Sequence, residues 1–106
     1  MERLTKQERK IAKELLRTGI LRRHAEWLKE IRDMIDRRLK NGDNEFSISM
    51  DVTKSSKDFF KEAIKMEDYY RTRWIEFGLR YLYYNHYLTD EEISVLPPEI
   101  ISFIHT

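Results

Sequence analysis

The stretch over residues 56–88 constrains the fold of this chain more than any other part of its sequence. Apolar or aromatic side chains recur along it at a regular spacing, at Phe59, Ala63, Met66, Tyr70, Trp74, Phe77, Tyr81, Tyr84 and Leu88. Eight steps cover 29 residues, so the mean spacing is about 3.6 residues, which is the period of an α-helix. We therefore expect one long amphipathic helix here and an all-α fold packed around it.

The length and composition of the chain are typical of a small helical protein. We expect one helical domain over residues 1–106, because a chain of this length can bury a single modest core. Three glycines and two prolines favour few and long elements. The absence of cysteine excludes disulfides and thiolate chemistry within the chain. The sequence contains no long apolar run, so we expect a cytoplasmic protein that makes no membrane contact.

Charge is distributed unevenly along the chain. Residues 1–42 contain thirteen Lys and Arg against seven Asp and Glu, whereas residues 43–106 contain seven against twelve. The net charge of +1 therefore conceals a basic half and an acidic half. Such halves can attract each other during folding or between copies, or they can serve a charged partner. We favour self-association, because both surfaces are already present in one chain.

The N-terminal half is predicted to form either two helices or one. Thr5 and Glu8 fit a capping box that begins the first helix. Gly19 has two interpretations: it ends this helix as a C-cap, or it lies inside a continuous helix, since the apolar phase is kept across it. We favour a break or a sharp bend at Gly19. The helix over about residues 21–40 is expected to end at the following Asn-Gly pair.

Residues 45–52 are the one segment whose pattern is not helical. Phe46, Ile48, Met50 and Val52 alternate with polar residues, which is the period of a β-strand. A lone strand cannot satisfy its own backbone hydrogen bonds. The segment is therefore predicted either to pair with its copy in a second subunit or to lie as an extended link over the helices.

The long helix is predicted to begin at the serine pair 55–56 and to exceed the size of its own domain. Its 32 residues would be about 48 Å long, which is longer than a compact domain of this size. We expect either a bend near Gly78 or a projecting end. Residues 89–92 fit a second capping box, which opens a short helix through about residue 96. The pair Pro97-Pro98 is expected to end that helix and begin a last apolar turn.

No catalytic or metal-binding motif is recognisable in the sequence. His24, His86 and His105 are the only imidazoles, and none has the spacing typical of metal ligands on one helix face. There is also no glycine-rich phosphate loop and no nucleophile elbow. We expect a non-enzymatic protein without a cofactor.

Residues 80–87 contain four tyrosines in a short aromatic cluster. Aromatic faces can stack on single-stranded bases, and Arg71, Arg73 and Arg80 could hold phosphates. However, Tyr81 and Tyr84 continue the apolar row, and this half of the chain is acidic. We therefore favour a role for the cluster in the core or in a subunit interface.

The N-terminal 28 residues include Leu4, Thr5, Glu8, Ile11, Ala12, Leu15, Leu16, Gly19, Ala25 and Leu28. This arrangement resembles the first helix of some bacterial helix-turn-helix regulators, which implies a turn and a DNA-recognition helix after Leu28. The sequence departs from the family pattern at that point. The helical period continues to Lys40 without a turn, and its charges alternate in sign as on a solvated surface.

Together these patterns predict an antiparallel all-α bundle of two or three long helices, with a short C-terminal helical segment and one extended, strand-like link at about residues 45–52. We expect a small protein that acts through protein–protein contacts as a homodimer. The interface candidates are Phe46, Ile48, Met50, Trp74, Tyr81, Tyr84, Tyr87, Ile101 and Phe103. The alternative is a nucleic-acid-binding protein that uses Arg22, Arg23, Arg37, Arg38 and Lys40.

Overall fold

The computed structural model describes residues 4–72 and 74–106, and it confirms the all-α fold. The described residues form five helices in chain order: α1 Lys6–Lys40, α2 Glu45–Arg71, α3 Ile75–Tyr84, α4 Asp90–Ile93 and α5 Pro98–Ile104. The described residues contain no β-strand. The long helices α1 and α2 are antiparallel, and the molecule measures 55 × 24 × 22 Å.

The expected break at Gly19 is wrong, because α1 continues through this position without interruption. Gly19 instead allows α3 to approach α1 closely. A Cβ atom built at Gly19 would lie 2.7 Å from Cδ1 of Leu82, which is itself fully buried. The cost of a glycine inside a helix, about 1 kcal/mol, is offset by this close packing.

The strand-like link over residues 45–52 is also wrong, because these residues form the first two turns of α2. The Asn44 side chain caps the helix by accepting hydrogen bonds from the backbone amides of Phe46 and Ser47. Ile48 and Val52 face α1, whereas Phe46 lies on the exposed side. The apparent period of two arose because apolar residues occupy both sides of this helix.

The single helix expected over residues 56–88 is wrong, because α2 ends at Arg71 and α3 is a separate helix that begins at Ile75. The predicted bend at Gly78 is therefore wrong, as is the predicted cap at the serine pair 55–56, which lies inside α2. Gly78 lies within α3, where an added Cβ would be 2.8 Å from Cδ1 of Leu16 and 2.9 Å from Cβ of Tyr69. Both helical glycines thus serve contacts between helices.

The three short helices pack around one end of the α1–α2 pair. We call this end the base, formed by residues 4–20, 66–72 and 74–106. Its core contains the fully buried side chains of Leu16, Ile75, Leu79, Leu82, Ile93, Ile100 and Ile104. The remaining segments of the two long helices, residues 21–40 and 45–65, form a helical hairpin that extends beyond the base.

Several helix ends follow the predicted signals. The capping boxes Thr5–Glu8 and Thr89–Glu92 are both present, although α4 ends at Ile93, earlier than expected. Pro98 begins α5. The end of α1 is a Schellman motif in which Gly42 has a φ of 77°.

Candidate interaction surfaces

The two helices of the hairpin contact each other along one row of side chains on each helix. We call these rows the inner seams; every member is buried or half-buried. Their members are Arg23, Trp27, Ile31, Met34 and Arg38 of α1, and Ile48, Val52, Ser55, Phe59 and Glu62 of α2. Both rows use spacings of three and four residues, which are typical of helices packed side by side.

The middle of the hairpin is fixed by aromatic and ionic contacts. The Trp27 and Phe59 rings are stacked, with centroids 4.7 Å apart, and Trp27 Nε1 donates a hydrogen bond to Ser55 Oγ at 3.1 Å. Arg23 Nε donates to Glu62 Oε2 at 2.7 Å and its guanidinium lies 5.0 Å from the Phe59 ring centroid. These contacts give hydrogen-bond partners to the polar groups of this half-buried interface.

Each hairpin helix carries a second row of side chains that faces away from its partner helix. We call these rows the outer seams. They are Leu21, Ala25, Leu28, Arg32, Ile35 and Leu39 of α1, and Phe46, Met50, Thr53, Lys57, Phe60 and Ile64 of α2. Both rows have spacings of four, three, four, three and four residues. All members are exposed except Ile35, which is half-buried.

The outer seams contain all seven of the large apolar side chains that the hairpin exposes. The exposed fraction is 61% for Leu28, 74% for Phe46 and 64% for Phe60. A seven-residue repeat of apolar positions is the pattern by which one helix packs on another. The outer seams therefore have the chemistry of helix-packing surfaces, and no described residue covers them.

The structure separates the three interface candidates at the start of α2. Phe46 and Met50 are exposed members of the outer seam, whereas Ile48 is buried against α1. The sequence interpretation could not distinguish them because it placed these residues in a strand. A helical assignment of the same residues would have separated Ile48 from the other two.

The interface candidates in the base are divided between the surface and the edge of the core. Trp74, Tyr81 and Tyr84 are exposed. Tyr87 and Ile101 are half-buried and pack against the core. Phe103 is also half-buried; its ring contacts Phe77, with centroids 5.0 Å apart, and the Arg80 guanidinium.

The tyrosines at the end of α3 have intramolecular partners. The Tyr87 hydroxyl donates a hydrogen bond to Glu26, and burial together with this bond raises the pKa of Tyr87 to about 12. Tyr83 donates to Asp90. Arg71 is exposed, and Arg73 lies outside the described residues. Tyr83 and Tyr87 therefore bind neighbouring elements, whereas Tyr81 and Tyr84 remain exposed.

Three of the five arginine and lysine candidates for nucleic-acid binding are held in ion pairs. Arg22 donates two hydrogen bonds of 2.7 Å to Glu92. Arg23 is paired with Glu62, and Arg38 donates to Asp43, Ser47 and Asp51. The remaining candidates, Arg37 and Lys40, line a shallow depression that also contains Asp33 and Asp36.

The pair formed by Arg22 and Glu92 joins the basic and acidic halves of the chain. The Arg22 guanidinium and the backbone amide of Thr89 lower the pKa of Glu92 to about 2. Arg22 also donates to the Tyr87 carbonyl oxygen at 3.0 Å. One use of the charge asymmetry is therefore to attach α4 to the middle of α1.

A second basic surface, which the sequence interpretation missed, lies on the first part of α1. Lys6, Lys10, Lys13 and Arg17 are spaced four, three and four residues apart, so they share one helix face. The first three line a shallow cleft closed on its other side by Tyr70. The helical spacing of these four residues marks the face in the sequence, where they also contribute to the basic charge of residues 1–42.

The described residues contain no group of three or more His, Asp or Glu that could hold a metal ion. They also contain no helix that combines the length and apolarity needed to cross a membrane. Glu76 is the buried charged residue of the described core, and its Oε2 has no hydrogen-bond partner among the described residues.

Comparisons with known proteins reveal no relative. No family model matches the chain, and no curated protein or solved structure is detectably similar to it.

Proposed function

We propose that this chain is a non-enzymatic, cytoplasmic interaction protein that works as a homodimer, with the outer seams of the hairpin as its interface. The observation that carries the proposal is the confinement of the hairpin's seven large exposed apolar side chains to two heptad-spaced rows. Two helices that pack only on each other bury one row of side chains each, which here is the inner seam. A second seam on each helix is typical of helices in bundles of more than two.

A second copy of the chain fits these seams in size. Each of the seven side chains leaves roughly 100 Å² accessible, given that large apolar and aromatic side chains bury about 150–250 Å² when covered. The rows therefore offer about 700 Å² per chain, close to the ~800 Å² per partner of a standard stable interface. Two hairpins related by a two-fold axis would pack through these seams into a four-helix bundle that covers apolar residues of both copies.

Sedimentation velocity from 1 to 100 µM tests the proposal. We expect the chain to sediment as a dimer at the upper end of this range. Replacing Leu28 and Phe60 by glutamate should convert it to a monomer, because each introduces a charge into the proposed dimer core. A monomer at 100 µM would refute the proposal.

The control introduces the same glutamate substitution at exposed residues of the base instead of the hairpin. Val95 is 61% exposed in the base and lies outside both seams. Val95→Glu and Trp74→Glu should leave the dimer intact. Dissociation by Trp74→Glu, with retention of the dimer in the Leu28→Glu/Phe60→Glu variant, would place the interface in the base.

A further inference from the structure

We propose that the groove along the first half of α1 binds a single strand of nucleic acid. The groove consists of two neighbouring clefts that share Tyr70. The first is lined by Lys6, Arg9, Lys10, Lys13 and Glu14 besides the tyrosine. The second, of about 350 Å³, is lined by Arg17, Ile20, Leu21, His24, Ala63, Glu67 and Tyr70.

The cations of this groove form no ion pair with any described residue. Five basic side chains line it against the two carboxylates of Glu14 and Glu67. Within the described part of the chain, the ion pairs of arginine involve Arg22, Arg23, Arg32 and Arg38. None of those pairs involves the five cations of the groove, in contrast to the arginines farther along α1.

The spacing of the cations suits a linear polyanion. Lys6, Lys10, Lys13 and Arg17 lie on one face of a straight helix and cover about 16 Å along its axis. Helices that pack against each other generally have axes roughly 8–10 Å apart. An extended strand can lie in such a groove, whereas a duplex would contact only its rim.

Tyr70 gives the groove an aromatic surface at the junction of its two clefts. The ring is half-buried against the core, which fixes its orientation, and Lys13 Nζ lies 5.4 Å from its centroid. A positively charged groove that holds an aromatic ring is the arrangement by which proteins bind single strands without sequence preference. An acidic protein segment would use the cations but would gain no base stacking from the ring.

Fluorescence anisotropy with labelled dT15 and U15 tests the proposal on the full chain. We expect binding of both strands at 50 mM salt. Between 50 and 200 mM salt, Kd should rise roughly 50- to 130-fold, because four or five phosphate contacts release counterions from a single strand. Absence of binding at 50 mM salt would overturn the proposal.

Charge reversal locates the site. Lys10→Glu/Lys13→Glu should raise Kd at least tenfold at 50 mM salt. The matched control, Lys29→Glu/Lys61→Glu, changes the net charge equally at two exposed hairpin positions and should raise Kd less than threefold. Equal losses in both variants would show non-specific attraction and contradict the assignment.

Substitution of Tyr70 distinguishes the binding of nucleic acid from the binding of other polyanions. Tyr70→Leu should raise Kd roughly 5- to 100-fold through lost stacking, while Tyr70→Phe should bind like the unaltered chain. Circular dichroism checks that each variant is folded. Displacement of dT15 by an equal charge concentration of poly-glutamate, or a changed sedimentation coefficient in Lys10→Glu/Lys13→Glu, would instead assign the groove to an acidic protein or to a second copy.

Discussion

Leu16 and Leu28 lie on the same helix, yet the first is fully buried and the second is 61% exposed. Leu16 belongs to the base, where α3, α4 and α5 surround the long helices and exclude water. Leu28 belongs to the hairpin, where each helix has a single neighbour. A helix that has one neighbour buries one row of side chains, whereas one surrounded by several helices buries most of its circumference.

The two regions therefore differ in the source of their stability. In the base, the burial of apolar side chains dominates, because all the largest fully buried residues lie there. In the hairpin, an aromatic stack, charged hydrogen bonds and two buried apolar residues hold the helices together. The difference suggests that the base is the stable scaffold and that the hairpin is the part presented to partners.

The largest expected effect is in the base. Leu16→Ala should lower the free energy of unfolding by about 3–4 kcal/mol, because it leaves a cavity in a fully buried position. Leu28→Ala, twelve residues further along α1, should change it by less than about 0.5 kcal/mol at high dilution. Urea denaturation measures both values. Similar losses for the two variants would show that the regions do not differ in this way.

A smaller effect is expected from the centre of the hairpin. Trp27→Ala removes the stack on Phe59 and the hydrogen bond to Ser55, and should lower the free energy of unfolding by about 2 kcal/mol. The half-buried position of Trp27 makes this loss smaller than that of a fully buried tryptophan. Native-state hydrogen exchange should show faster exchange in residues 21–65 and unchanged protection in α3. Equal acceleration in α3 would mean that the regions unfold together.

The link between α1 and α4 should contribute about 1 kcal/mol, with a defined pH dependence. The ordinary pKa of Glu92, near 4.5, is lowered to about 2 in the folded chain. Its contribution is therefore complete above pH 4.5 and is lost as the pH falls toward 2. Because Arg22 is half exposed, screening by water keeps the contribution small.

Glu92→Gln measures this contribution, since glutamine can keep the capping box but not the charge. Stability curves of the variant and the unaltered chain should differ at pH 7 and converge near pH 2. A difference that persists at pH 2 would indicate a loss of packing instead of a loss of charge.

The smallest expected effect is an increase in the free energy of unfolding. His86 has a φ of 67° in the Schellman motif that ends α3, a conformation that glycine adopts without strain. His86→Gly should raise the free energy of unfolding by about 0.5 kcal/mol. Gly42→Ala at the equivalent position of α1 should lower it by about 1 kcal/mol. Thermal melts of both variants check the two signs.

The sequence predicted the helix ends in the base better than the contacts between its helices. Capping boxes and the proline that begins α5 depend only on neighbouring residues, so a short stretch of sequence is enough to predict them. The role of Gly19 depends on Leu82, 63 residues away, and no local pattern contains that contact. The same holds for Gly78 and Leu16.

The candidate surfaces were predicted in part for the same reason. The error over residues 45–52 arose from treating alternating apolar residues as one face, when Phe46 and Ile48 lie on different sides of a helix. The long-range partners of Arg22 and Arg23, which make them less available to an external anion, could not be inferred from spacing. The stripe from Lys6 to Arg17 was visible in the spacing, but only the fold shows that these cations lie outside the ion pairs of the described residues.

The uninterrupted passage of α1 through Gly19 has a mechanical consequence. The helix acts as a lever whose pivot lies where Leu82 fills the space that a Cβ would occupy. From Gly19 to Lys40 the lever arm is about 32 Å long, so a tilt of about 5° at the pivot displaces the far tip by ~3 Å. The close contact between Gly19 and Leu82 therefore bears on the position of the far end of the hairpin.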